Sequence, residues 1–496
     1  MTNLLLNFPC GCWIILTGFI TCFAPLLKCI EVGRGESSIL FVILSQSNDF
    51  HVKEAEKFRH HFNSQLDNLD KSSWPQVLFT HEHFLDIPGT WTIFPLIDQL
   101  VHLHTGWSWV FICEEDTRVD INALTRLLQS KNASEHHFLG RELRDHETTI
   151  IHHFAFSDNP LQFAYPDFRA GFVLSISLVK HLHNRLNNEK LKIEFSIDPK
   201  HEFALFVWDE GRGTPLVGVK EFCSVDQSYS SGCITRQLFK FPDCNEAIKE
   251  EDLFVAVKTC EKFHNTRIPI VKATWGKETK YIEYFSEIED RSIPTTKLDV
   301  PNTERGHCSK TMAIIKRIIE SQNLSSIPWV LIADDDTIIN LSRLRSLLAC
   351  YKAQQPVALG ERYGYGLIRG GGYDYITGGG GMVFSQPVLK FLSLSCRCYT
   401  EDSPDDMTLG ICLKAGHVPV THSRFFHQAR PDDYSREFLS NQLPVSFHKH
   451  WNNDPYKVYT SLTSSSSAMK ENGVKSKHTN HFDMLLAVQP FSFGKL

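Results

Sequence analysis

The 496-residue sequence predicts an α/β protein in which one fold of about 200 residues occurs twice, each copy a mainly parallel sheet covered by helices. The first observation is an internal repeat. Residues Trp109–Asp120 read WVFICEEDTRVD, and Trp329–Asn340 read WVLIADDDTIIN, 220 residues later. Leu139-Gly140 and Leu359-Gly360 keep that spacing, and YPDFRAGFVLS from Tyr165 is answered by YDYITGGGGMVFS from Tyr373. The second observation is alternation. In each copy a short apolar run (Ile39–Leu44, Leu253–Val257) precedes a helical stretch (Phe94–His104, Thr311–Glu320) and a second apolar run that ends in acids. In such sheets ligands sit beyond the carboxyl ends of the strands, where those acids fall.

The elements follow in order. Cys12–Leu27 is apolar and uncharged, and Lys28 ends it, so residues 1–28 are expected to be a signal peptide or a signal-anchor. Residues 36–223 form the first copy. Residues 224–249, rich in Ser, Asp, Gly and Cys, read as a linker or disulfide-held loop. Residues 250–460 form the second copy. Residues 461–496 carry a serine run and little hydrophobic periodicity, and are expected to be a disordered tail.

Composition narrows the function. Hydrophobic residues at 42% and charged residues at 22% suffice for sizeable cores, which excludes wholesale disorder. A net charge of −6 argues against a strongly basic nucleic-acid binder. The 14 cysteines contain no CxxC pair, which leaves zinc ribbons and thioredoxin-like sites without support. Scattered cysteines behind a secretory leader predict disulfides. Sequons at Asn132, Asn323 and Asn340 agree with secretory entry.

The chemistry concentrates in the second copy. Asp334, Asp335 and Asp336 end an apolar strand, and residues two apart on a strand share a face. Asp334 and Asp336 can therefore share a hard divalent cation while Asp335 points elsewhere. Four glycines, Gly378–Gly381, permit close approach of backbone to ligand. Ser403-Pro404-Asp405-Asp406 reads as a helix start with Ser403 as cap. The first copy starts its helix at Asp198-Pro199 with Lys200 and His201 in place of the two acids, so a helix start does not need them. The first copy also has Glu114-Glu115-Asp116 and no four-glycine loop. It reads as a degenerate domain that supports the fold or binds the acceptor. His427 is a candidate further ligand.

KTCEKFHNTRIPIVKATWG (Lys258–Gly276), WVLIADDDT (Trp329–Thr337), TGGGG (Thr377–Gly381), PDDMTLG (Pro404–Gly410) and RFFHQ (Arg424–Gln428) stand in order in the second copy. Together they resemble the Fringe-like β-1,3-glycosyltransferases. The resemblance implies two tandem GT-A (Rossmann-like) domains, the first degenerate, and an inverting transfer from a UDP-sugar that depends on Mn2+ (or Mg2+). It further implies Asp334, Asp336 and His427 as metal ligands and Asp406 as catalytic base beside Asp405. Thr259, Arg267, Lys310, Asp334, Asp335, Gly379 and Gly380 would lie about the nucleotide and sugar. Members with a similar additional N-terminal half imply UDP-glucose as donor, fucose O-linked on thrombospondin type 1 repeats as acceptor, and the lumen of the endoplasmic reticulum as location. The last residues, Lys495-Leu496, depart from the KDEL-like end of such members, so retention by that signal is not expected. A galactose or N-acetylglucosamine donor, a binding-only pseudoenzyme and a metal-dependent phosphodiesterase are the competing readings.

Overall fold

The computed structural model describes residues 38–471 apart from 67–73, 105, 150–152, 154–155, 157, 192, 224–231, 238–240, 245 and 441. The expected leader and all of the tail beyond Glu471 lie outside the described residues. The first sheet contains β1 (Ser38–Leu44), β2 (Gln76–Phe79), β3 (Trp107–Glu114), β4 (Phe138–Gly140), β5 (Phe172–Ser175) and β6 (Val217–Gly218). The second contains β7 (Leu253–Lys258), β8 (Ile282–Ser286), β9 (Thr295–Lys297), β10 (Trp329–Asp334), β11 (Ala358–Gly360), β12 (Met382–Ser385) and β13 (Val420–His422).

Strand order is β2-β1-β3-β5-β4-β6 in one sheet and β9-β8-β7-β10-β12-β11-β13 in the other. The central pairs correspond. β1 and β3 are parallel, as are β7 and β10, while β5 and β12 each run antiparallel to both neighbours. The repeat seen in the sequence is therefore a repeat of topology, and each sheet is mainly parallel with one reversed strand. The apolar runs follow from burial on both faces: every residue of β7 and all of Ile39–Ile43 are buried. Each sheet has a separate apolar cluster on either side.

Six helices matter for the site: α1 (Asp49–Leu66), α2 (Phe94–His102), α3 (Pro199–Trp208), α4 (Cys308–Glu320), α5 (Asp405–Ala415) and α6 (Pro455–Glu471). On α4, Ile314, Ile315 and Ile318 face the sheet at helical spacing. On α3 the Asp198 carboxylate caps the helix by accepting from Lys200 N, as its sequence predicts. On α5 the helix begins at Asp405, one residue later than expected. Ser403 does not cap it, and its hydroxyl accepts from Thr400 N instead. α6 also corrects the expected tail. The helix carries through residue 461 to Glu471, and Leu462 is buried against Ile338 and Phe447.

The two copies do not stand apart as separate globules. The described residues, 38–471, all fall within one compact unit. Ile368 of the second half is buried in the apolar core of the first. Phe195–Ser196 of the first half adds a strand to the hairpin Arg362–Tyr365 and Tyr373–Ile376 of the second. Trp91 Nε1 donates to Asp374 at 3.0 Å. The expected disulfides are present: Cys223–Cys233, Cys244–Cys350, Cys308–Cys398 and Cys396–Cys412, the second tying the 224–249 segment to the second half.

Candidate active site

The acids of the second half meet at the carboxyl end of its sheet. β10 ends at Asp334, and Asp335-Asp336 form the turn into a short strand, Thr337–Ile339. The triplet is thus a strand end and a turn rather than one extended run. Even so, Asp334 and Asp336 converge and Asp335 diverges. The Asp335 carboxylate accepts from the Thr259 hydroxyl at 2.7 Å and from Arg267 Nη1 at 2.8 Å. Burial pushes the Asp335 carboxyl up to about 6 despite these two donors.

Asp334, Asp336 and His448 each bring one ligand atom into a group spanning no more than 4.8 Å. The strand Thr337–Ile339 pairs with Ser446–His448, and that register sets His448 beside the triplet. His448 Nε2 lies 3.2 Å from Asp336 Oδ1, and Nδ1 lies 3.0 Å from the Gln428 carbonyl. Nδ1–H donating to that carbonyl aims Nε2 at Asp336, where it can serve as a ligand once its proton is lost. Despite burial, His448 and Arg267 hold the Asp336 carboxyl well below its usual range. Gly379 makes room for the imidazole, since a Cβ there would stand 2.3 Å from His448 Nδ1. Two carboxylates and one imidazole fit a hard or borderline divalent ion.

His427 does not take part as expected. Its Nδ1 donates to the Ser446 carbonyl at 3.0 Å, its Nε2 lies by Gln442, and the ring stacks on Phe447. The ring is buried as packing beneath the site, and His448 holds the place expected for it. Asp405 is likewise committed. Its carboxylate accepts from Lys258 Nζ and from the Thr311 hydroxyl, both at 2.6 Å. Burial works against ionisation there, but Lys258 and Thr311 outweigh it and hold the group ionised. Lys258 Nζ also lies 3.0 Å from Asp334, so this one cation ties the triplet to the start of α5. Asp406 is left partly exposed and outside that ion pair. Burial and the charge of Asp405 push its carboxyl up to about 7.

Lys310 Nζ donates to the Thr259 carbonyl and to Asn302 Oδ1, both at 2.7 Å, so it shapes the Thr259 strand end rather than facing the acids. Gly380 N donates to Gln428 Oε1, and the Gly379 carbonyl accepts from the Thr337 hydroxyl, which brings the glycine loop against the triplet. Sequence reasoning missed Lys258 and His448. The His448-Lys449-His450 pattern was the available signal, but its place depends on a strand pairing. A cleft of about 770 Å³ between the halves opens beside Glu114, Glu115 and Asp116, and its lining includes His427.

The Fringe-like family is matched by residues 92–198 and 248–469, one stretch in each half. The beta-1,3-glucosyltransferase of Homo sapiens is 52% identical over 85% of this chain and 84% of its own length. The Mus musculus protein of the same name is 51% identical over 85% of each. The beta-1,3-N-acetylglucosaminyltransferase lunatic fringe of Mus musculus is 29% identical over 37% of this chain and 54% of its own. Identity of this extent, together with a family match that enters both halves and covers the whole acid site, makes the chain a glycosyltransferase of the Fringe-like family.

Proposed function

We infer that the chain is an inverting, divalent-metal-dependent β-1,3-glucosyltransferase built from two GT-A domains, of which only the second is catalytic. The donor is UDP-glucose, and the acceptor is fucose O-linked to thrombospondin type 1 repeats. One observation carries the reading: Lys258 bridges Asp334 and Asp405, so the metal-type cluster and the Asp406 carboxylate belong to one site. Asp334, Asp336 and His448 would hold Mn2+ or Mg2+, which supplies charge neutralisation for the departing nucleoside diphosphate. Arg267, 3.1 Å from Asp336, adds a fixed positive charge beside that position. Thr259 and Arg267 hold Asp335 aside and border the nucleotide.

Asp406 accepts the proton of the acceptor hydroxyl as that oxygen attacks the anomeric carbon. A carboxylate raised to about 7 is ionised in a useful fraction near neutral pH and is basic enough to take that proton. Asp405 cannot serve, since Lys258 and Thr311 occupy it. One displacement inverts the anomeric configuration and needs no covalent intermediate. Glucose is preferred over N-acetylglucosamine because the two glucosyltransferases match at 52% and 51% across both halves, against 29% over 37% of the chain for lunatic fringe. Four disulfides and the exposure of Asn132 and Asn323 support a lumenal location, entered through the N-terminal apolar run. Among the described residues no helix is long and apolar enough to cross a membrane.

The reading is tested by a donor screen with Mn2+ against fucosylated and unfucosylated repeats. Glucose transfer confined to the fucosylated repeat is expected. Preference for another UDP-sugar, or transfer without fucose, would overturn the assignment.

A further inference from the structure

The two acidic triplets differ in what stands opposite them. In the second half Gly379 leaves room for His448, which faces Asp336. In the first half Arg169 holds the corresponding place. It stands two residues before Gly171 (φ 79°), as Gly379 stands two before Gly381 (φ 93°), and each of these later glycines directly precedes the strand that pairs with the triplet strand. Arg169 Nη2 lies 3.1 Å from Asp116, the counterpart of Asp336. A second guanidinium comes from the other half: Arg424 Nη2 lies 2.7 Å from Asp116, and Nη1 lies 3.4 Å from Glu114. Two arginines therefore stand at the cation position of the first triplet.

Arg424 also begins the stretch that ends at the second triplet. Phe425 and Phe426 are buried in the second-half core, and Gln428 follows. The Gln428 carbonyl takes the Nδ1 proton of His448 at 3.0 Å. Its side-chain oxygen accepts from Gly380 N at 3.0 Å, and its own N–H donates to the Glu361 carboxylate. Only three residues thus separate a side chain anchored on the first half from a carbonyl that orients a metal-ligand histidine. Such outer partners fix the tautomer and direction of the ring.

We propose that the first half is a positioning partner of the metal site: Asp116, with Glu114, anchors Arg424, which seats Gln428 and through it His448. This rests on reading Asp334, Asp336 and His448 as the metal site. In this arrangement the first half's triplet, whose Asp116 is held by two arginines, anchors the loop that orients the metal ligand in the second. Asp116 and Arg424 act here as positioning residues, through Gln428 and His448.

The test is Mn2+ binding to the full chain without UDP-sugar, read as loss of the free-ion paramagnetic signal, with thermal melting alongside. Replacing a group that hydrogen-bonds a metal ligand weakens metal affinity by roughly 10–100-fold; Arg424 acts one step further out, through Gln428, so Arg424→Met is expected to lose up to about tenfold. Asp116→Asn, which keeps size and one acceptor, is expected to lose less. Arg424→Lys, which keeps the charge, is expected to recover part of the loss. Asp49→Asn breaks another ion pair between the halves, Lys352–Asp49 at 2.6 Å, and is expected to leave Mn2+ affinity unchanged. Folded Arg424→Met and Asp116→Asn proteins with wild-type Mn2+ affinity overturn the proposal, as does an equal loss in Asp49→Asn. Asp336→Ala separates the two levels. If it keeps Mn2+ affinity, the metal-site reading itself fails. If it loses Mn2+ while Arg424→Met keeps it, only the anchoring proposal fails.

Discussion

At the scale of single residues, two adjacent aspartates at the head of one helix are set to opposite tasks by their partners. Lys258 and Thr311 hold Asp405 ionised, whereas burial and that neighbouring charge raise Asp406 to about 7. The base must be ionised to accept a proton, so transfer is expected to rise with pH up to about 7 and level off above. A kcat/KM profile in Mn2+ checks this, and a profile already flat from pH 5 would remove Asp406 from the role. Asp336→Ala is expected to abolish Mn2+-dependent UDP binding, measured by calorimetry, and to lower the melting temperature, because it removes the buried carboxylate that pairs with Arg267 and His448. The pairing of two carboxylates in the triplet was legible from the sequence because only a cation or hydrogen bonds relieve their repulsion. The histidine was not. His427 and His448 lie 21 residues apart, and which of them faces the acids is decided by the pairing of Thr337 with His448.

At the scale of elements, the glycine loop and the short strand pair carry the geometry. Gly379 is constrained by contact rather than by backbone angle, because a Cβ would come within 2.3–2.6 Å of the His448 ring. Gly379→Ala is therefore expected to displace His448 and weaken Mn2+ binding by roughly tenfold or more while the chain stays folded. Paramagnetic titration of the ion checks it, and unchanged affinity would show that the ring relaxes without cost to the site. Strands were readable where both faces are covered, as in LFVAVK and WVLIAD, since such strands are continuously apolar. Short pieces such as Ser446–His448 carry no such pattern. The sequon at Asn340 shows the reverse error. The side chain caps the helix that follows by accepting from Arg343 N, donates to the Leu462 carbonyl, and is buried.

At the scale of the molecule, the duplication was legible from motifs in register, but the union of the halves was not, because it rests on contacts between distant segments. Ile368 in the first-half core, the added strand Phe195–Ser196 and the Arg424–Asp116 pair all bind one copy to the other. Calorimetric unfolding of the full chain is accordingly expected to show one cooperative transition, and two well-separated transitions would mean that the halves are independent. The central claim is that a single site, at the second triplet, performs the transfer with Asp406 as its base. Single-turnover transfer of glucose from UDP-glucose to a fucosylated repeat by Asp406→Asn tests it most directly, beside UDP binding by the same preparation. The amide keeps size but cannot take the proton, so transfer is predicted to fall by about 10²–10⁴-fold with UDP affinity nearly unchanged. Near-normal transfer by a folded, UDP-binding Asp406→Asn protein would contradict the account.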